Sequence, residues 1–330
     1  MAITGASDVC AMWNNKMMSK GILAIIMAVT LCATLSSCGD KGATGRQLEH
    51  TTAIDPDGNL QLPYIPDSIR TPESRAAYLA SHFWDTLDFK DSTHCRDTLF
   101  MEQTFANYST VLLAADSASR QRGVQNLLTR AANESHAVHE LLLDIADRYL
   151  FNPGSPLFNE DLYLPFADYL IRTSHGEDVR AQERREIIMQ NRPGTAAPDF
   201  DYISREGKRG HIPGRNGTPE ILMFYDPDCD ECRASFNVMA GNEALSRAID
   251  DGAISITAIY NGSASEAWMT HVAGLPQNWM VGRDADNAIN ENDLYSIRAT
   301  PSFYLIDGNG KIMMKDATLA GLFRALNLSL

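Results

Sequence analysis

Basic residues, long apolar runs and paired cysteines are all scarce in this chain, and each shortage excludes a class of protein. Lys and Arg number 28 against 42 Asp and Glu, a formal net charge of −14 at neutral pH. No stripe or block of cations stands out. Phosphate binding depends on such clusters, so nucleic acid is excluded as a partner. The apolar run at 21–35 has 15 residues, fewer than the roughly 20 that a helix needs to cross a bilayer. Of six cysteines only Cys229 and Cys232 are spaced as a pair, whereas a secreted disulfide scaffold spreads more of them along the mature chain. Nor does the sequence around this pair offer a second Cys-x-x-Cys or a His pair to complete a four-ligand zinc site with it. His211 and His271 stand isolated and Cys95 lies far back in the sequence, so no metal site is expected. Internal repeats and low-complexity tracts are missing too.

What is present is a globular composition, 44% apolar and 21% charged over 330 residues, enough for about two domains with a core each. Residues 1–37 read as an address. Lys16 and Lys20 precede the apolar run, which ends in small residues, the layout of a secretory signal peptide. Leu35-Ser36-Ser37-Cys38 resembles the lipobox of bacterial lipoproteins. That resemblance implies cleavage before Cys38, lipidation of Cys38 and a lipid-anchored place in the cell envelope facing the periplasm, with outer-membrane or surface placement left open. Several acyl chains hold a protein on a membrane where one is marginal. An uncleaved signal-anchor helix is the alternative.

Residues 38–70 hold Gly39, Gly42, Gly45, Pro56, Gly58, Pro63 and Pro66 with little periodicity, a polar tether. Helical texture starts at Thr71-Pro72-Glu73-Ser74, a cap residue followed by proline at the first helical position. Tyr78, Leu79, His82, Phe83 and Leu87 recur at three- and four-residue steps, an amphipathic stripe. Further helices are expected at about 98–115, 119–131, 134–150, 158–171 and 175–190, giving an all-α domain over 71–192. From Pro193 short β-rich runs alternate with helix: Ile221–Tyr225, Ile254–Tyr260, Phe303–Ile306 and Ile312–Met314, with one helix over about Glu231–Ile249. Asp307-Gly308-Asn309-Gly310 reads as the turn of a terminal hairpin. The domain over 193–330 is therefore expected to be α/β, a mixed sheet flanked by helices.

The chemistry concentrates where the run Ile221–Tyr225 ends in Asp226-Pro227-Asp228-Cys229-Asp230-Glu231-Cys232. A cysteine at the start of a helix meets unpaired amides and the positive end of the helix dipole, which favour its thiolate. A second cysteine three residues on lies on the same face, within reach of the first sulfur. Strand, loop, Cys-x-x-Cys and helix together resemble the thioredoxin superfamily. Gly194-Thr195-Ala196-Ala197-Pro198-Asp199-Phe200 is similar to the entry motif of its TlpA/ResA-like members, and Ala299-Thr300-Pro301-Ser302-Phe303 to the family's cis-proline loop. The long interval between Cys232 and Pro301 resembles the insertion of TlpA-like proteins, here residues 262–292. The resemblance covers 193–330. It implies a thiol-disulfide oxidoreductase with Cys229 as nucleophile, Cys232 as resolving thiol, and the backbone of Thr300 beside Pro301 pairing with the substrate chain. No cofactor is implied. Its partners would be envelope proteins bearing disulfides and a membrane or soluble thiol that donates electrons.

The chain departs from the family pattern in three ways. Asp228 stands where the family has tryptophan, no proline separates the cysteines, and Asp226, Asp228, Asp230 and Glu231 crowd the site. Like charges oppose the thiolate, which implies a reducing rather than an oxidising couple. The buried carboxylate that family members use as proton acceptor is not evident in Ile221–Tyr225, and Asp226 is the candidate. Asp226 also stands where a peroxiredoxin has threonine, three residues before its reactive cysteine. The competing reading of the whole is a non-catalytic thioredoxin-fold binding lipoprotein. No motif in the helical domain names a function. Cys95 beside His94 reads as a buried filler, and Trp84, Trp268 and Trp279 as core or rim aromatics. Triplets led by Asp85, Asp91, Asp97 and Asp116 resemble a bacterial O-glycosylation pattern.

Overall fold

The computed structural model describes residues 54–329 apart from 56, 215, 216 and 264. The signal run, Cys38 and the first half of the tether lie outside the described residues. Among these, no helix is long and apolar enough to cross a membrane. The chain divides into two compact units, with the break between Gln182 and Glu183.

The first unit is helical. Its elements are α1 (Pro72–His82), α2 (Ser92–Cys95), α3 (Thr98–Ala114), α4 (Ser117–Glu134), α5 (His136–Ala146) running into a π-helical turn at Asp147–Phe151, and α6 (Glu160–Thr173). The helix α7 (Val179–Met189) spans the break. Local chemistry sets the starts. Thr71 accepts from the Ser74 amide, and Asp91, Asp97 and Asp116 cap α2, α3 and α4 by accepting from Thr93, Phe100 and Ser119. An N-cap carboxylate satisfies amides that a helix leaves unpaired. Three of the four Asp-led triplets are thus helix starts, with the hydroxyl residue at the first helical position. Helices α1 and α4 approach so closely that a Cβ on Gly123 would lie 2.2 Å from the Ala80 carbonyl oxygen. The Tyr108 hydroxyl donates to the same oxygen at 2.8 Å. Phe83, Trp84, Phe105, Tyr108 and Phe166 are all buried around this contact.

The second unit is built on a seven-stranded sheet: β1 (Phe200–Ser204), β2 (Arg209–Ile212), β3 (Glu220–Tyr225), β4 (Ser255–Tyr260), β5 (Met280–Arg283), β6 (Ser302–Ile306) and β7 (Ile312–Met314). The strand order is β2-β1-β5-β4-β3-β6-β7. The pairs β3–β4 and β4–β5 are parallel and the other pairs antiparallel, so the sheet is mixed. Every residue of β3 is buried. Ile221, Met223 and Tyr225 point into one core with Cys232, Phe236 and Trp268. Leu222 and Phe224 point into the other with Phe200, Tyr295 and Tyr304. A strand covered on both faces reads as a continuous apolar run.

The strands β1, β2 and β5 are absent from the sequence expectation. β2 exposes Arg209 and His211 and β5 carries Gly282 in a four-residue strand, so neither shows an apolar run. The single helix expected over 231–249 is two, α8 (Asp230–Ala240) and α9 (Glu243–Asp250), because Gly241 closes the first and Asn242 caps the second through the Leu245 amide at 2.9 Å. The segment between β4 and β5 contains α10 (Glu266–Ala273), and α11 (Ala288–Glu291) and α12 (Leu319–Ala325) complete the unit.

Arg205, just after β1, holds the segment after α10 in place. Its half-buried guanidinium group donates to the carbonyls of Val272, Leu275, Pro276 and Trp279 at 3.2, 3.2, 2.9 and 2.7 Å. Arg205→Met keeps the apolar stem and leaves these carbonyls without their donor. A destabilisation on the order of 3 kcal/mol follows, given about 1–3 kcal/mol per unsatisfied buried group. Urea unfolding of the full chain checks this; an unchanged midpoint would contradict it.

Candidate functional site

The site forms where β3 ends. Asp226 Oδ1 accepts from the Asp228 amide at 2.8 Å, and the Asp226 carbonyl accepts from the Cys229 amide at 3.2 Å. This Asx turn reverses the chain and delivers Cys229 to the mouth of α8 as its N-cap. The Cys232 amide donates to Cys229 Sγ at 3.1 Å. Sulfur here takes the place that a Ser or Asp oxygen fills elsewhere, so the first thiol sits where the helix favours negative charge.

Cys229 and Cys232 are both free thiols, Cys229 half-buried and Cys232 fully buried. Burial pushes the Cys232 thiol up to about 12, the hydrogen bond with Cys229 adding to it and a backbone hydrogen bond from Asp226 opposing it. Cys232 is therefore a neutral thiol at physiological pH. The peptide before Pro301 is cis, and this loop lies against the Cys229 sulfur. The Thr300 carbonyl accepts from Cys229 Sγ at 3.3 Å. Thr300 is exposed and Pro301 half-buried. Four residues singled out by the sequence thus meet at one point: Cys229, Cys232, Thr300 and Pro301.

The carboxylates are placed differently. Asp226 has one oxygen committed to the turn. A buried carboxylate does exist in β3, which begins one residue earlier than expected, at Glu220. It accepts from the Thr257 hydroxyl and the Gly214 amide. Five residue steps of strand, about 16 Å, separate it from Tyr225, so it serves the opposite end of the sheet. Asp228, Asp230 and Glu231 are exposed at the rim, with Arg233 paired to Asp230.

Sequence reasoning missed the aromatic wall behind the cysteines. The Trp268 indole donates to the Tyr225 hydroxyl at 3.0 Å. His271 packs against Tyr225 and Phe236, with ring centroids 5.4 and 5.2 Å away, and burial lowers its pKa. The signal was there in Trp268 and His271 three residues apart, one turn of a helix. Trp84, Trp268 and Trp279 are all core residues. Cys95 is buried and pushed up to about 11 by burial, donating to the Asp88 carbonyl while His94 turns to Asp91. His211 engages Asp201 at 2.8 Å.

Residues 37–191 match the family model described as a domain of unknown function (DUF5106). A thioredoxin-like protein from Bacteroides caccae, known from a crystal structure, superposes with a TM-score of 0.73 at 28% identity, over 81% of this chain and 97% of that one. The thiol-disulfide oxidoreductase ResA of Bacillus subtilis is 25% identical over 120 residues, 36% of this chain and 64% of that protein. The methylamine utilization protein MauD of Paracoccus versutus is 25% identical over 146 residues, 44% of this chain and 62% of that protein. The chain thus spans slightly less than two thirds of the length of each of these two relatives. With a mixed sheet flanked by helices, a Cys-x-x-Cys pair at a helix mouth and a cis-proline loop against it, the chain belongs to the TlpA/ResA-like thioredoxin family.

Proposed function

We propose that this protein is a thiol-disulfide oxidoreductase that reduces protein disulfides through Cys229 and Cys232. The observation that carries the reading is the asymmetry of the pair: a half-buried sulfur capping a helix, and a fully buried one held neutral beneath it. The thiolate, not the thiol, is the nucleophile, so attack falls to Cys229. Its thiolate attacks one sulfur of a substrate disulfide, forms a mixed disulfide and expels the other substrate sulfur as a thiolate. Cys232, losing its proton, then attacks Cys229 Sγ. The Cys229–Cys232 disulfide forms, the second substrate thiolate leaves, and two electrons have passed to the substrate. A thiol donor of the envelope, membrane-bound or soluble, returns them by the same exchange in reverse. Asp226, at the head of the loop, is the candidate to take the Cys232 proton. The exposed backbone at Thr300 is the place for the substrate chain to pair beside Pro301.

The lipobox-like Leu35-Ser36-Ser37-Cys38 supports a lipid anchor at Cys38 that holds the enzyme on the envelope, facing the periplasm. Its substrates are then envelope proteins bearing disulfides.

Wild type is expected to reduce insulin disulfides in the presence of a thiol donor, and Cys229→Ser to fall to the uncatalysed rate. Cys232→Ser is expected to retain substrate as a mixed disulfide on Cys229, seen by non-reducing electrophoresis and mass spectrometry. Equal turnover by wild type and Cys229→Ser would leave a binding protein rather than an enzyme. The acidic rim adds a second expectation. At low ionic strength the cationic disulfide cystamine is reduced several-fold faster than the anionic dithiodiglycolate, and salt narrows the gap. Equal kcat/KM for the two would remove any steering by Asp228, Asp230 and Glu231.

A further inference from the structure

On the helical unit, away in sequence from the cysteines, the segment His136-Ala137-Val138-His139-Glu140 opens helix α5. Positions one, four and five of such a segment share a helix face. The structure brings one ligand atom from each of His136, His139 and Glu140 within 4.8 Å of the others. Glu140 Oε1 lies 3.2 Å from His139 Nδ1 and 4.0 Å from His136 Nδ1. We propose that these three side chains form a binding site for a divalent transition-metal ion, independent of the cysteine pair.

The donor set selects the class of ion. Two imidazole nitrogens and a carboxylate suit zinc, copper, nickel or cobalt, whereas calcium and magnesium take oxygen ligands. Ligand atoms each about 2.0–2.2 Å from a tetrahedral metal stand roughly 3.3 Å apart. The Glu140–His139 separation already meets this, and the others must contract. The side chains that have to move can do so: His136 is 86% and Glu140 60% exposed. His139 is the fixed member, 13% exposed and packed against Tyr169 with ring centroids 5.9 Å apart. Its Nε2 is buried without a hydrogen-bond partner, so Nδ1 is the nitrogen that the ring presents to a ligand. Three protein donors leave a fourth position for water or for a group from outside. The acidic charge of the chain favours a bound cation.

Co2+ titration of the full-length protein, followed by visible absorption and with Zn2+ as competitor, tests the site. The expected result is one equivalent of Co2+ in the weak visible bands of nitrogen and oxygen ligation, without the intense near-ultraviolet band of cobalt–thiolate bonds. Zn2+ displaces it and excess Ca2+ does not. Changing a ligand's second-shell partner already costs on the order of tenfold in affinity, so His139→Gln, which removes a ligand, loses at least that. His136→Gln and Glu140→Gln alter exposed side chains, and circular dichroism verifies the fold of all three variants. Should the His139 variant unfold, the two exposed variants decide the question. No visible bands, an affinity unchanged in the folded variants, or a spectrum dominated by the thiolate band would each overturn the proposal.

Discussion

The contact on which the site depends is the hydrogen bond from the Cys232 amide to Cys229 Sγ, 3.1 Å long. It puts a sulfur where a helix wants an anion and, in the same stroke, places the second thiol one turn along. The rest of the α/β unit can be understood as what holds this bond. β3 is buried on both faces, so its C-terminal end is fixed between two cores. The Asx turn at Asp226 brings the chain from that strand to the helix mouth. The cis-proline loop meets Cys229 Sγ through the Thr300 carbonyl. Replacing any of these supports would leave the cysteines in the sequence and loosen the geometry.

Two opposing electrostatic influences meet at Cys229. The helix terminus favours a thiolate, while Asp228, Asp230 and Glu231 surround it with like charge that solvent and salt screen because they are exposed. Burial raises the Cys232 thiol far above neutrality. The two thiols thus differ by environment rather than by residue type, and desolvation of the second sulfur is the chief cause.

Much of this was legible in the sequence. The cysteine spacing, the run Ile221–Tyr225 before it and the Thr300-Pro301 loop after it all lie together as the motif order implied, and the hairpin at Asp307–Gly310 joins β6 to β7. What could not be read has physical reasons. The strand β2 alternates exposed and buried residues over only four positions, and β1 pairs only with β2 and β5, so their pairing is set by the tertiary fold. The break at Gly241-Asn242 was hidden because the apolar period continues on both sides of it. The four-carbonyl clasp by Arg205 depends on residues 67 to 74 positions away. The Glu220 carboxylate was missed because the apolar run marked the strand one residue late, and its distance from the cysteines only the sheet could show.

The central claim is that Cys229 and Cys232 interchange between dithiol and disulfide at a reducing potential. Equilibration with glutathione or dithiothreitol buffers, followed by acid quench and mass measurement of alkylated thiols, tests it most directly. The account predicts a single two-electron transition confined to this pair, with a midpoint nearer the roughly −270 mV of thioredoxin than the roughly −120 mV of a strong oxidant. Failure of the two sulfurs to bond, or a midpoint close to the oxidising value, would contradict it.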